Sequence, residues 1–373
     1  MRKEARVLAV LALLLPPALP ARAADADPVR LVTPLVYGTH IPGLGEPAAS
    51  LAKLIEERSG GALILDLKQP GDGTKPQEIL DKVSSGSVDA GVATASYWSA
   101  KLPAASLFSG FPFGPDGKAY LAWFEQGNGR TLYQEMYDHA GLKVHVMPCA
   151  FGGAEAGGWF VKEIKAPEDI KGLRMRIFGL GGRVMSRLGA TTVLLPGGDV
   201  PAAFSKGQID AAELYPPAAD AQLGLKEKVK LIYMPGWHQP ETVLELIVNK
   251  DRWDALTDHQ RELIDGACLA TLQATLASSA KLETEALADL GKAGVRVENL
   301  PEPVLASLRS AWTEVAKEEG SQDYFFKTVL DDIEKFRAKK DGASGAPTVQ
   351  PATAAAPHVS AEPSASAETK ATP

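Results

Sequence analysis

The chain has 373 residues, of which 45% are hydrophobic and 23% charged, and its formal net charge is -7. This mildly acidic composition is typical of a globular protein, and the lack of a basic patch argues against nucleic acid as a partner. Beyond the amino-terminal leader, no stretch approaches the length of a transmembrane helix, so we expect a protein that is not membrane-embedded.

Residues 1–23 have the pattern of a secretory signal peptide. Arg2, Lys3 and Arg6 precede an apolar segment at 7–19, and Ala21-Arg22-Ala23 matches the small-x-small cleavage pattern. We therefore expect an exported mature chain that begins at residue 24. The leader holds four basic residues and one acidic residue, so its removal takes the net charge to about -10.

The other end is rich in Ala, Pro, Ser and Thr. Residues 338–373 contain almost no large apolar side chain and are predicted to form a disordered tail. The remainder, 24–337, is longer than one hydrophobic core usually is, which predicts two lobes. The first lobe is predicted at roughly 30–148 together with the C-terminal helices, and the second at roughly 149–250.

In the first half, strands and helices alternate. Apolar periodicity predicts strands at 30–38 and 62–68 and an amphipathic helix at 46–59 between them. A helix at 77–85 is predicted to end at Gly86 and to lead into a buried strand with the sequence "SVDAGVA". Alternation of this kind predicts an α/β fold with parallel strand pairs.

The second half repeats this scheme. Strands are predicted for "GGWFVKE", "RMRI", "TTVLLP" and "QIDAAEL", with helices at 182–189 and from about 199 to Gly207. The phrases "GSVDAGV" and "GQIDAAE" therefore represent the same structural step in two similar units. We expect Asp89 and Asp210, which the two phrases share, to hold the turn between helix and strand.

A long helix is predicted at 257–291. Thr257 and Gln260 have the spacing of a capping box, and no Pro interrupts the apolar stripe that follows. At about 1.5 Å per residue this helix would be on the order of 50 Å long, so it should brace both lobes.

The two cysteines, Cys149 and Cys268, are too few for a disulfide framework. We expect two separately buried thiols, and the alternative is one bridge formed in an oxidising compartment.

Common enzyme signatures are missing from the sequence. No G-x-S-x-G, H-E-x-x-H or paired C-x-x-C motif occurs, and the six histidines show no metal-ligand spacing. "GLGG" at 179–182 fits a helix start better than a phosphate loop. An enzyme is therefore the weaker hypothesis.

Residues that follow the predicted strands are the candidate site, because ligands of parallel sheets bind at the carboxyl ends of the strands. Tyr97 and Trp98 follow one repeated phrase, Glu213 ends the other, and Arg176 lies near the end of "RMRI". Arg176 is either a two-pronged clamp for a carboxylate or a strand residue paired with an acid. Glu213 is either a structural ion-pair partner or a ligand-site residue.

Four segments together resemble a known family. They are "CAFGGAEAGGWFVKEI" (149–164), "IKGLRMRIFGLGGRVMSRLGA" (170–190), "PGGDVPAAFSKGQIDAAE" (196–213) and "YMPGWHQP" (233–240). This chain is similar over about 31–336 to the extracytoplasmic solute-binding proteins of TRAP transporters, in particular the 2-oxo-acid and lactate branch. The resemblance implies a class II-like periplasmic binding protein whose two lobes close over a small organic acid, with Arg176 binding its carboxylate.

The resemblance also implies further substrate contacts and a bridging cation. Tyr97 and Trp237 match cleft aromatics of the family, and Glu155 stands where the family has a Gln cation ligand. The implied metal ligands in this chain are Glu155, Glu213, Leu214 through its carbonyl, Gln239 and Glu241. Two carboxylates favour Ca²⁺ over Na⁺, while the change from Gln to Glu155 leaves binding without any metal open.

The function implied is periplasmic capture of a 2-oxo or 2-hydroxy acid such as pyruvate or lactate, and its delivery to the TRAP membrane subunits. The protein would act as a monomer or a homodimer. Two alternatives stay open. One is an exported enzyme that holds an acid with Arg176 and uses Glu213 or Glu155 as general base. The other is a ligand-sensing binding protein with the same fold and site.

Overall fold

A computed structural model describes residues 27–344, so the predicted signal peptide and residues 345–373 lie outside the described part. The fold is mixed α/β, as expected. The strands are β1 (Val29–Pro34), β2 (Leu63–Lys68), β3 (Ala90–Ala93), β4 (Val144–Gly153), β5 (Gly158–Phe160), β6 (Arg174–Arg176), β7 (Thr191–Val193), β8 (Ala211–Ala212), β9 (Leu231–Tyr233), β10 (Thr242–Asn249) and β11 (Arg296–Glu298).

Helices cover the faces and edges of these strands. Most are short, and three of them exceed twenty residues. The helices are α1 (Glu46–Arg58), α2 (Ile79–Ser84), α3 (Ala105–Ser109), α4 (Gly117–Gln126), α5 (Gly129–His139), α6 (Gly179–Arg187), α7 (Val200–Ser205), α8 (Pro217–Asp220), α9 (Lys250–Asp254), α10 (Asp258–Lys292), α11 (Glu302–Gln322) and α12 (Tyr324–Ser344).

The strands form two separate groups, which we call the first and second lobes. The first lobe contains the parallel pair β1-β2 and the sheet β3-β10-β4, and a bridge between Leu35 and Val92 joins them. The second lobe contains the sheet β11-β9-β5-β8-β6-β7. The predicted parallel pairing holds for β1-β2 and β6-β7-β8, whereas β10 runs antiparallel to β3 and β4. The chain crosses between the lobes in a loop after β4 and in another loop before β10, and α10 then leads back to the second lobe, where β11 lies.

The two repeated phrases occupy equivalent places. Gly86 and Gly207 both have positive φ and end a helix, as a left-handed C′ residue does. The Asp89 carboxylate accepts a hydrogen bond from the Val32 amide, and the Asp210 carboxylate accepts one from the Arg174 amide. The Asp89 amide also donates to the Val32 carbonyl, and the Asp210 amide donates to the Arg174 carbonyl. Both aspartates therefore have a structural role, but they fasten neighbouring strands rather than hold the turn between helix and strand.

The long helix α10 spans both lobes. Thr257 and Gln260 form the predicted capping box at its start. Along its length α10 packs on α1 and β4 of the first lobe and on α8 and β11 of the second. The predicted bracing helix is therefore confirmed within a residue or two of its ends.

The last two helices divide between the lobes. α11 packs against α6 of the second lobe, while α12 packs against α3, α4 and α5 of the first. The prediction that both C-terminal helices accompany the first lobe therefore describes α12 but not α11. α12 continues to Ser344, so the tail boundary predicted at 338 comes too early. Ala338, Lys339 and Lys340 are exposed and are good helix formers, so they continue the helix.

The prediction of two free thiols is wrong, because Cys149 of β4 and Cys268 of α10 form a disulfide bond. Both cysteines are buried in one apolar cluster where α10 lies along β4. The residues are 119 positions apart. Their proximity depends on helix packing, which the local sequence does not reveal.

Replacing both cysteines by Ser should lower the free energy of unfolding by about 2–5 kcal/mol, because the bond closes a long loop of the unfolded chain. Urea unfolding of the variant and of the wild type would measure the difference. Wild-type protein unfolded in the presence of a reductant should match the variant. If thiol titration of the non-reduced, unfolded wild type finds two free thiols, the bond is absent.

Candidate functional site

Arg176 and Glu213 lie side by side in the second lobe, where β6 and β8 end. The Glu213 amide donates to the Arg176 carbonyl at 2.9 Å, so strand pairing itself brings the two residues together. Both side chains are almost fully buried, and Arg176 Nη1 lies 3.4 Å from Glu213 Oε2. Arg176 Nε donates to the Leu195 carbonyl at 3.1 Å, and Nη1 donates to the Glu213 carbonyl. These bonds fix the plane of the guanidinium.

Glu155 joins this pair through His238. Glu155 lies in the crossing between β4 and β5, and His238 lies in the crossing between β9 and β10. His238 Nε2 is 3.0 Å from Glu155 Oε2 and 3.5 Å from Glu213 Oε1. Gln239 donates to Glu155 Oε1 at 2.7 Å. Thus the two crossings and the two strand ends deliver one buried cluster, which we call the charge cluster: Glu155, Arg176, Glu213 and His238.

Burial and mutual contact shift the pKa values within the charge cluster. Burial raises the pKa of Glu155 to about 8, and the charge of Glu213 adds to this rise. Burial alone would lower the pKa of His238, but hydrogen bonds to Glu155 and Glu213 outweigh it and raise the pKa to about 9. Burial opposes ionisation of Glu213 too, yet contact with His238 and the charge of Arg176 hold its pKa below its usual range. At neutral pH the cluster therefore carries cationic Arg176 and His238 opposite an ionised Glu213.

Three tyrosines line the region beside the charge cluster. The Tyr37 ring lies 6.0 Å from Tyr97 and 5.9 Å from Tyr215, edge to face in both cases. Burial raises the pKa of all three hydroxyls, so each remains a hydrogen-bond donor over the whole physiological range. The charges of Arg176 and Glu155 act on Tyr97 and Tyr215. Tyr97 therefore lies where the sequence predicts it.

A small cavity of about 30 Å³ opens next to Glu213 and His238. Ser96, Pro112, Phe178, Gly181 and Gln239 contribute to its wall. Residues 96–112 belong to the first lobe and residues 178–239 to the second. The cavity therefore lies between the lobes, where the sequence predicts the cleft.

Trp98 has a structural role. It is 3% exposed, and its indole N–H donates to Glu245 Oε1 of β10 at 2.8 Å. Glu245 also accepts hydrogen bonds from the hydroxyls of Tyr133 and Tyr137. This buried carboxylate is thus fully satisfied, as a buried polar group must be, and it fixes Trp98 directly after Tyr97.

Three of the predicted site residues do not point into the charge cluster. The Trp237 ring is buried against Phe113 and His238 and lines a second, mostly apolar cavity with Phe160 and Met175. The Leu214 side chain lies in an apolar cluster of the second lobe. Contacts of Glu241 are with backbone: its Oε1 accepts from the amides of Gly153 at 2.7 Å and Thr242 at 3.0 Å.

The search for metal-ligand spacing among the histidines did not bring out His238, which contacts two buried carboxyl groups. Sequence spacing relative to other histidines is uninformative here, because the partners of His238 are carboxylates 83 and 25 positions away along the chain. Tyr37 was missed as well. It lies within the strand predicted at 30–38, whereas β1 ends at Pro34, so the predicted strand end hid its position after a strand.

Glu155, Glu213 and His238 could together hold a metal ion. Each offers a ligand atom, and these atoms lie within 4.8 Å of one another. Two carboxylates supply the hard oxygen donors that Ca²⁺ favours, and a small organic acid could complete its shell of six to eight ligands. A cation entering here would compete with the His238 imidazolium for both carboxylates.

Comparisons with known proteins agree with this architecture. Residues 43–323 match the family model described as bacterial extracellular solute-binding protein, family 7. A monocarboxylate 2-oxoacid-binding periplasmic protein of Nostoc sp. is 34% identical over 290 residues, covering 78% of this chain and 79% of the relative.

Two solved structures share the fold over most of the chain. A TRAP transporter solute-binding protein from Bordetella bronchiseptica, a dimer with calcium and picolinate in one site, superposes with a TM-score of 0.80 at 27% identity, covering 85% of this chain and 94% of that one. A TRAP periplasmic solute-binding protein from Pseudoalteromonas atlantica with bound sodium and pyruvate gives a TM-score of 0.78 at 28% identity, covering 86% and 98%.

The two lobes, the bracing helix and the buried carboxylate-binding chemistry between the lobes define an extracytoplasmic solute-binding protein of the TRAP type. The chain belongs to the bacterial extracellular solute-binding protein family 7. Members of this class bind small organic acids and work with TRAP membrane subunits. Among the described residues, no helix is both long and apolar enough to span a bilayer.

The burial of Glu241 predicts that the stability of the wild type, compared with that of a Glu241→Gln variant, changes with pH. Burial raises its pKa to about 8, above the value of an unfolded chain, so the folded state retains a proton that the unfolded state loses. The free energy of unfolding therefore falls progressively as the pH rises from about 4.5 to about 8, because Glu241 ionises in the unfolded chain but not in the fold. A Gln at this position cannot ionise, and Glu241→Gln should gain stability relative to wild type over that range.

Urea unfolding at pH 4.5 and pH 7.5 would measure this difference. Glu57→Gln is the charge-matched control, because Glu57 is exposed on α1. Glu241→Gln should also keep the ligand affinity of the wild type. A relative stability that does not change with pH, or a lost affinity, would contradict the structural role of Glu241.

Proposed function

We propose that this protein captures a small 2-oxo or 2-hydroxy monocarboxylate, such as pyruvate or lactate, between its lobes in the periplasm and delivers it to TRAP membrane subunits. The buried Arg176 guanidinium beside Glu155, Glu213 and His238 is the observation that carries this proposal. The relative that binds monocarboxylate 2-oxoacids and the similar structure with pyruvate support the same ligand class.

Arg176 suits the carboxylate end of such a ligand. Its described hydrogen bonds use Nε and Nη1, so the Nη2 N–H groups would be its donors to a ligand. A buried ligand carboxylate needs a fixed opposite charge, and the carbonyl contacts hold the guanidinium in place before the ligand arrives. Preorganisation of this kind lowers the ordering cost of binding.

Glu155, Glu213, the Leu214 carbonyl and Gln239 would hold a cation, Ca²⁺ or Na⁺, beside the acid. The cation would supply positive charge for the carboxylate and the adjacent oxo or hydroxy oxygen. Tyr97 and Tyr215 would donate hydrogen bonds to the ligand. Trp237 would not contact the ligand, because its ring lies in the apolar core. It would instead support His238, which its ring contacts.

Export through cleavage of the 1–23 leader is part of the proposal, as is the absence of turnover. The family consists of solute-binding proteins, and the charge cluster resembles a binding site because its polar groups are held by one another. Pyruvate incubated with the protein should be recovered unchanged by NMR. Formation of a product would favour the exported-enzyme alternative.

Isothermal titration calorimetry should detect pyruvate and lactate binding by the wild type. Arg176→Ala should weaken binding by at least about a hundredfold, since it leaves a buried charge without its partner, and Arg176→Lys should weaken it less. Arg174→Ala is the matched control, because Arg174 lies on the same strand and pairs instead with Asp210. Circular dichroism would verify that each variant is folded.

The ligand class is wrong if pyruvate, lactate and dicarboxylates all give no heat and mass spectrometry finds no small organic acid released from the purified protein. Equal affinity in the wild type and Arg176→Ala would refute the clamp alone.

Removal of divalent ions tests the cation. After treatment with a chelator, pyruvate affinity should fall, and addition of Ca²⁺ should restore it, since the cation neutralises the carboxylates that the ligand approaches. Parallel titrations in Na⁺ and in a bulky organic cation would separate the two ions. Unchanged affinity in every medium would show that this chain binds its acid without a metal.

A further inference from the structure

The loop at 110–114, with the sequence Gly-Phe-Pro-Phe-Gly, contacts the segment that carries His238. We call it the GFPFG loop. Gly110 packs so closely on the Glu241 carbonyl and on Gln239 that a side chain would collide with both. Gly110 and Pro112 line the same cavity as His238 and Gln239. The loop belongs to the first lobe, because it follows α3, and it thus meets the crossing between β9 and β10.

Phe113 has an unusual backbone conformation in this loop. Its φ is +55°, and among the described residues it is the only one other than Gly with positive φ. A left-handed conformation is unfavourable for a residue with a side chain. Such strain persists only where surrounding contacts determine the conformation.

Four contacts hold Phe113, and they come from three different elements. Its amide donates to the Trp237 carbonyl at 2.8 Å, and the two rings lie 5.9 Å apart. The Arg309 guanidinium of α11 lies over the Phe113 ring at 4.1 Å from the centroid. Arg337 of α12 donates to the Phe113 carbonyl at 3.2 Å. Since α11 packs on the second lobe and α12 on the first, Phe113 is fastened to both.

We infer that Phe113 is a positioning residue for the binding site, which holds the Trp237–Gln239 segment in place and stabilises the closed arrangement of the lobes. The identity of the ligand in this inference rests on the proposed function. The contacts of Phe113 do not depend on it. Trp237 directly precedes His238 and Gln239, the two residues that hydrogen-bond Glu155. Loss of the Phe113 contacts would free this segment and lower the fraction of closed molecules.

Two variants remove the contacts separately. Phe113→Gly deletes the ring but keeps the left-handed backbone available, because Gly adopts positive φ without strain. Arg309→Met deletes the charge above the ring from an exposed position of α11. Phe113→Tyr and Arg309→Lys are the conservative variants, and Lys317→Met removes a positive charge from an exposed position of the same helix as a control.

The first measurement needs no ligand. Small-angle X-ray scattering of the ligand-free protein should give a larger radius of gyration for Phe113→Gly and Arg309→Met than for the wild type, Phe113→Tyr and Lys317→Met. The second uses pyruvate with stopped-flow dissociation and calorimetry. Phe113→Gly should raise the dissociation constant about tenfold, since a tenfold smaller closed fraction weakens apparent binding equally. Arg309→Met should raise it about two- to fivefold.

A purely structural Phe113 would lower thermal stability while leaving the scattering and the dissociation rate at wild-type values, and that result would overturn the inference. If Phe113→Gly does not fold, Arg309→Met decides on the same criteria. If the wild type does not bind pyruvate, the proposed ligand fails and the scattering comparison alone decides whether Phe113 holds the lobes together.

Discussion

The cost of burying charge governs this structure. Glu155, Glu213, Arg176 and His238 are each at most 6% exposed, and none could be buried alone without a large loss of solvation. They come from the two strand ends and the two crossings between the lobes, so the compensation that each one needs exists only in the folded chain. Electrostatic pairing thus holds the crossings against the second lobe, while α10 packs on both lobes.

Ligand recognition follows from this constraint. Within the charge cluster, His238 stands between the two carboxyl groups while Arg176 contacts Glu213. An incoming anion adds negative charge, which Arg176 can accept directly, and an incoming cation must take over the carboxylates from His238. A small acid with two adjacent oxygen donors satisfies both requirements at once, because it can contact the guanidinium and complete a metal shell.

Features that depend on neighbouring residues were predictable from the sequence. The capping box of α10 and the glycine ends at Gly86 and Gly207 follow short-range rules, and each occurs where the pattern predicts it. The proximity of Arg176 and Glu213 was predictable for a different reason, since strand ends converge at one edge of a sheet.

Features that depend on packing between distant segments were not predictable. The Cys149–Cys268 bond requires α10 to lie along β4, and His238 gains its role only when the two crossings meet. Glu241 and Gln239 show the limit most sharply, because both lie near the same motif and both are polar. The side chain of Gln239 turns to Glu155, whereas that of Glu241 turns to the amides of Gly153 and Thr242. Two positions apart in the sequence, Gln239 contacts the charge cluster while Glu241 supports the backbone.

Strand β10 links this site to the first lobe. The site segment with His238 and Gln239 directly precedes the strand, and Glu245 in its middle accepts the Trp98 indole N–H and two tyrosine hydroxyls. Trp98 in turn follows Tyr97, which lies in the tyrosine group beside Arg176. One strand therefore fixes polar groups on both sides of the cleft.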